Sequence, residues 1–152
     1  MRHLFLPALL AAALTSCTTA TNLTAGPQNR EQLLQSQLPV FHRAVYWGKL
    51  DEAMEFVDPA IRSSFISRQQ STRRAENLVE MNVDKVEFAE DSKSATVDVI
   101  VRYFRKPQYL VKERREQETW AFSRADGWQY RGAEVVIEDQ TGDSTLRRGT
   151  NF

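Results

Sequence analysis

Thr96-Val97-Asp98-Val99-Ile100-Val101-Arg102-Tyr103-Phe104 is the stretch that decides the fold class. Val97, Val99, Val101 and Tyr103 fall on one face; Thr96, Asp98, Ile100, Arg102 and Phe104 fall on the other. A period of two over nine residues is a strand with one face against a core. Downstream, Arg105-Lys106-Pro107 turns the chain into a long polar strand, Val111 to Ser123, ending on Trp120 and Phe122. Ala125-Asp126-Gly127 is a hairpin signal that pairs this strand with Trp128, Tyr130 and Val135 to Ile137. Upstream, Glu90 to Ser94 is a polar turn, and Val83 to Ala89 a strand with an irregularity between Val83 and Val86. The result is an antiparallel meander of about four strands.

Before Asn82 the apolar period is helical. Asn29 is a candidate N-cap, and Leu34, Leu38, Phe41 and Val45 line one helical face. Pro39 interrupts that face, so a kink or a restart is expected there. Gly48 is the candidate C-cap. Lys49 to Val57 forms a second short helix with Leu50, Ala53, Met54 and Val57 inward. Asp58-Pro59 reads as a cap followed by a first-turn proline. Ile61, Phe65 and Ile66 give a third helix its apolar side before it fades into the polar run Arg68 to Arg74. Helices followed by a meander make an α+β domain, with N-terminal helices packed on a curved antiparallel sheet.

The chain has 152 residues, enough for one domain, and a formal net charge of zero. That balance gives no bulk electrostatic case for nucleic acid. Three Trp, four Tyr and eight Phe suffice for one core. The single cysteine, Cys17, excludes an internal disulfide. Met1-Arg2-His3 and the apolar run Leu4 to Leu14 have the form of a secretory signal, too short to span a bilayer. Leu14-Thr15-Ser16-Cys17, which follows directly, resembles a bacterial lipobox. The resemblance implies cleavage before Cys17, diacylation of its thiol and membrane anchoring. Thr18, rather than Asp, implies transfer to the outer membrane, facing the periplasm. The expected organisation is a signal peptide over 1–16, lipidated Cys17 and a polar tether over 17–28, a domain over 29–137 and a mobile tail over 138–152.

Phe41 to Ala53 (FHRAVYWGKLDEA), Asp58-Pro59, Glu118-Thr119-Trp120 and Asp126-Gly127-Trp128 together resemble the nuclear transport factor 2-like α+β cone family, over about residues 30–135. That family hosts isomerases, dehydratases and binding modules, so the resemblance implies a cone-like fold without choosing an activity.

Outside Cys17, the mature domain has one histidine, His42, and no cysteine, which leaves no metal-ligand set and no cofactor motif. His42 reads as a partly buried structural histidine, with no partner acid near it in sequence. Asp98 is the candidate catalytic acid, because desolvation on a pocket-facing strand would suit it to general base work. The plainer reading is an outward Asp98 paired with Arg102 or with a base on a neighbouring strand. Tyr103, Trp120, Trp128 and Tyr130 are candidate ligand-binding aromatics, core packing being the default. Lys112 to Glu118 mixes charges as a solvated face or a docking edge, and Arg68, Arg73 and Arg74 are candidate headgroup contacts. The expected role is a non-enzymatic binding or assembly module with an envelope protein partner and a homodimer through the sheet. The alternative is a small hydrophobic ligand carrier or a cone-fold isomerase or dehydratase-like enzyme.

Overall fold

The structure, a computed structural model, describes residues 26–139. The leader, Cys17, the tether up to residue 25 and the tail from residue 140 lie outside the described residues. Among the described residues three α-helices precede the strands: α1 (Pro27–Trp47), α2 (Leu50–Met54) and α3 (Arg62–Ala75), with a 3-10 turn at Pro59–Ile61. Strands β1 (Asn77–Phe88), β2 (Ser94–Phe104), β3 (Val111–Ser123) and β4 (Gly127–Asp139) form one antiparallel sheet in the order β1-β2-β3-β4. The α+β layout is the one the periodicity predicts.

Helix α1 begins earlier than Asn29. Gly26 is its N-cap and Pro27 occupies the first turn, where a missing N–H costs nothing and φ is already helical. Pro39 neither ends nor restarts the helix; buried Leu38 and Phe41, on either side of it, hold the segment against the sheet. Gly48 closes α1 in the left-handed conformation, φ 72°. The Lys49 N–H bonds the Ala44 carbonyl at 2.9 Å and the Gly48 N–H bonds Val45 at 3.1 Å, a Schellman pair.

The second helix stops at Met54 rather than Val57, because the chain there serves the sheet. The Tyr130 N–H donates to Phe56 O at 2.8 Å and the Asp58 N–H donates to Tyr130 O at 3.1 Å. Asp58 also caps the next turn, accepting from the Ala60 N–H at 2.6 Å. The polar run Arg68 to Arg74 stays helical to Ala75, since its arginines contact protein. Arg73 Nη2 donates to the carbonyls of Val45 and Tyr46 at 2.6 and 2.7 Å, capping α1 from outside.

Strand β1 starts at Asn77, six residues before Val83. Register shifts at Leu78/Glu80 and Val83/Lys85 insert an extra residue twice, so Leu78, Met81, Val83, Val86 and Phe88 share the inner face without strict alternation. Such bulges bend a strand, and two more interrupt the β3–β4 ladder. Strand β4 runs to Asp139, two residues past the boundary expected at 137. The core joins Leu34, Leu38, Phe41 and Val45 of α1 to Val97, Val99, Val101, Trp120, Trp128 and Tyr130 of the sheet.

Candidate functional site

The inner face of β3 does not follow from its composition. Val97, Val99, Val101 and Tyr103 of β2 stand opposite Glu118, Glu116, Arg114 and Lys112, so four charges of the run Lys112 to Glu118 fall on the inner face. Only the alternate set, Glu113, Arg115 and Gln117, faces outward, so the run is not one solvated face or docking edge but is divided between the two sides of the sheet. Each buried charge has partners. Arg114 bonds Glu116 at 2.6 Å and also bonds Glu76, at the end of α3. Its guanidinium lies 4.6 Å from the centre of the Tyr103 ring. Burial opposes the Arg114 charge, and Glu116 and Glu76 outweigh it, so its pKa lies above the usual value.

Glu118, 2% exposed, holds the other end of the row. One carboxylate oxygen meets His42 Nε2 at 3.0 Å, and the other accepts the Trp120 indole N–H at 2.9 Å. The histidine therefore has an acid partner, 76 residues away in sequence. With Nε2 committed to Glu118, Nδ1 has no hydrogen-bond partner among the described residues.

The sequence-predicted aromatics enter the core. Trp120, Tyr130 and Phe41 pack on one another with centroids 5.1 to 5.7 Å apart. Trp128 packs on Phe88 and Phe122 and donates its N–H to Arg30 O at 2.7 Å. Tyr103 is fully buried beneath Arg114. These rings fill the interior instead of lining a cage. Burial, then the negative charges of Glu118 and Glu116, push the Tyr130 phenol well above its ordinary range, so it stays neutral.

Asp98 lies on the opposite, outer face. It accepts from Gln117 Nε2 at 3.1 Å and sits 3.7 Å from Arg115, the neighbouring-strand base. Arg102 instead pairs with Glu80 at 3.1 Å; four residues along one strand is about 13 Å, too far for it to reach Asp98. Of the three arginines considered for headgroup contact, Arg73 caps α1, while Arg68 bonds Ala133 O and stands 4.0 Å from Glu116.

Open space lies elsewhere. A groove of about 420 Å³ runs between α1 and β1, lined by Pro39, His42, Arg43 and Tyr46 on one side and Met81, Asn82 and Val83 on the other. Spacings of three and four along α1 put its residues on one stripe. A second hollow of about 270 Å³ lies beside Trp47, Arg73 and Glu76. Among the described residues no cluster of three or more His, Cys, Asp or Glu could hold a metal, and no helix is long and apolar enough to cross a membrane.

No protein-family model and no curated protein matches the chain. Solved structures do. A SEC-C motif containing protein from Rhodopseudomonas palustris superposes with a TM-score of 0.52 at 20% identity, covering 63% of this chain and 73% of that one. Bd1075 from Bdellovibrio bacteriovorus gives 0.53 at 14% identity, covering 74% of this chain and 42% of that one. This chain thus spans under half the length of the second. What the likeness shows is the fold: helices on a four-strand antiparallel sheet.

Proposed function

We propose that the chain is a lipoprotein of the cell envelope, anchored through acylated Cys17, whose nuclear transport factor 2-like domain is a non-enzymatic binding module for an envelope protein. The groove between α1 and β1 is its contact surface. The anchor rests on Leu14-Thr15-Ser16-Cys17 behind an apolar leader; two or more acyl chains give stable attachment where one is marginal. One observation carries the binding reading. The inner face is filled by side chains bonded to each other, Asp98 lies outside, and the groove keeps its space beside half-exposed apolar residues. The same observation weighs against a carrier or isomerase using the cone interior.

Two measurements test this. Cys17→Ser should move the protein from the detergent phase to the aqueous phase; unchanged partitioning overturns the anchor. A photo-crosslinking side chain in place of Asn82, in the groove, should give an adduct with an envelope protein in membranes. The same group at Glu113, on the outer face, should give none. The reverse pattern overturns the binding surface.

A further inference from the structure

Strands β1 and β4 are the two edges of the sheet, and the fold treats them differently. The chain at Phe56–Asp58 covers β4 through both backbone bonds of Tyr130, and Arg68 takes the Ala133 carbonyl. On β1, the Tyr46 hydroxyl reaches only the bulged Val79 carbonyl, at 3.3 Å. Between the bulges at Val79 and Asp84, residues 80–83 pair regularly with residues 102–99 of β2, and their outer edge adjoins the groove. The pairing shows why. Met81 and Val83 face inward opposite Val101 and Val99, and Asn82 faces outward opposite Ile100, yet all three line the groove. A groove that touches both faces of a strand runs along its edge. There, among the described residues, the outward N–H and C=O groups of residues 80–83 have no backbone partner and can take an added strand.

The polar equipment of the groove has one sign. Glu118 is committed to His42 and Trp120, and Glu80 to Asn82 and Arg102. Arg43, exposed on the rim, has no acidic partner among the described residues, and His42 Nδ1 is unclaimed. Pro39, Met81 and Val83 supply apolar wall. Edge strand, apolar wall and a single guanidinium fork fit one kind of occupant. We infer that the groove takes the C-terminal end of a partner protein as an added strand on β1, with an apolar terminal side chain in the groove and its α-carboxylate on Arg43. This assignment rests on the binding-module reading and gives its partner a chemistry. The carboxylate matches the planar fork of Arg43, which a point charge such as Lys would not reproduce. The unbulged run admits only a few residues of added strand, which suits a chain end better than a mid-chain segment.

The experiment uses the full chain in lipid nanodiscs and a pool of N-acetylated tetrapeptides randomised over Val, Ile, Leu, Phe and Thr, with free C-terminal carboxylates. Saturable shifts at Met81 and slowed amide exchange within residues 80–83 are expected. Amidating the pool, or Arg43→Gln in the protein, should each weaken binding by about tenfold, and Arg43→Lys should recover only part. Because Arg43 is exposed, these variants keep the fold. Equal binding of the amidated pool overturns carboxylate capture. Octanoate binding as tightly as the peptides, without slowed exchange on β1, overturns the added strand in favour of a small-molecule site. Absence of any saturable shift overturns the assignment outright. The Asn82 crosslink reports separately, so a failure of this chemistry is distinct from a failure of the binding surface.

Discussion

Strands β2 and β3 lie side by side in continuous register, from Ser94 opposite Ala121 to Phe104 opposite Val111. They keep the same two-faced geometry by different chemistry. On β2 the inner row is Ala95, Val97, Val99, Val101 and Tyr103, none more than 3% exposed. On β3 the inner row runs from Trp120 through Glu118 and Glu116 to Arg114, an indole followed by three charges. The inside of this domain is therefore defined by the fold around a position and not by polarity. A charge stands inside where other elements bring partners to it: His42 from α1, Glu76 and Arg68 from α3.

The most disruptive change should be at the apolar end of the β3 row. Trp120→Ala removes a fully buried indole packed on Phe41 and Tyr130, and leaves one Glu118 oxygen without its donor. Denaturant unfolding should show a loss of about 3–5 kcal/mol. A loss under about 1 kcal/mol would mean that the ring is not core.

The two arginines of β3 sharpen the comparison, because they are adjacent and face opposite ways. The Arg114 side chain is 10% exposed and Arg115 37%. Arg114→Met leaves Glu116 with only the 4.0 Å approach of Arg68 and one buried oxygen of Glu76 without its donor, a loss of about 3 kcal/mol. Arg115→Met, on the outer face, should cost less than about 1 kcal/mol. Equal costs would erase the distinction between the faces.

Glu118 comes next. Glu118→Gln keeps an acceptor for Trp120 and loses the charged bond to His42, so about 1–2 kcal/mol is expected. Combined with His42→Ala in a double-mutant cycle, it should show a coupling of at least about 0.5 kcal/mol. Additive losses would show that the 3.0 Å contact contributes nothing of its own.

These residues mark what one-dimensional reading could reach. Strand β3 has the bounds that alternation and turns predict, and β2 falls within two residues of them, as local pattern alone fixes both. The first six residues of β1 escaped because the bulges space the inward residues as 78, 81, 83, 86 and 88, mixing steps of two and three. The end of the second helix was hidden because Phe56–Asp58 answers to Tyr130, more than seventy positions away. The His42–Glu118 pair lay out of reach for the same reason. One sign of it was present: Glu118 shares parity with Trp120, so a strand that buries the indole must also turn this acid inward. The α1–β1 groove has no sequence signature, since its two walls meet only through the packing of α1 across the sheet.

The smallest effect belongs to the acid that drew most attention in the sequence. Asp98 sits on β2 among apolar neighbours, yet its face is the outer one, and its side chain is 17% exposed. Asp98→Asn keeps an oxygen to accept from Gln117. It weakens the 3.7 Å approach of Arg115, which retains Asp84 at 3.0 Å, and the attraction of Lys85, which retains Glu87. A loss within about 1 kcal/mol is expected, as for other surface pairs, shrinking further at high salt. Because Asp98 sits on β2, behind the β1 edge, and does not line the groove, the Asn82 crosslink should survive unchanged. A folded Asp98→Asn protein that lost the crosslink would show that the outer face takes part in recognition. Recognition would then extend from the α1–β1 edge onto the outer face, with Asp98 inside the site.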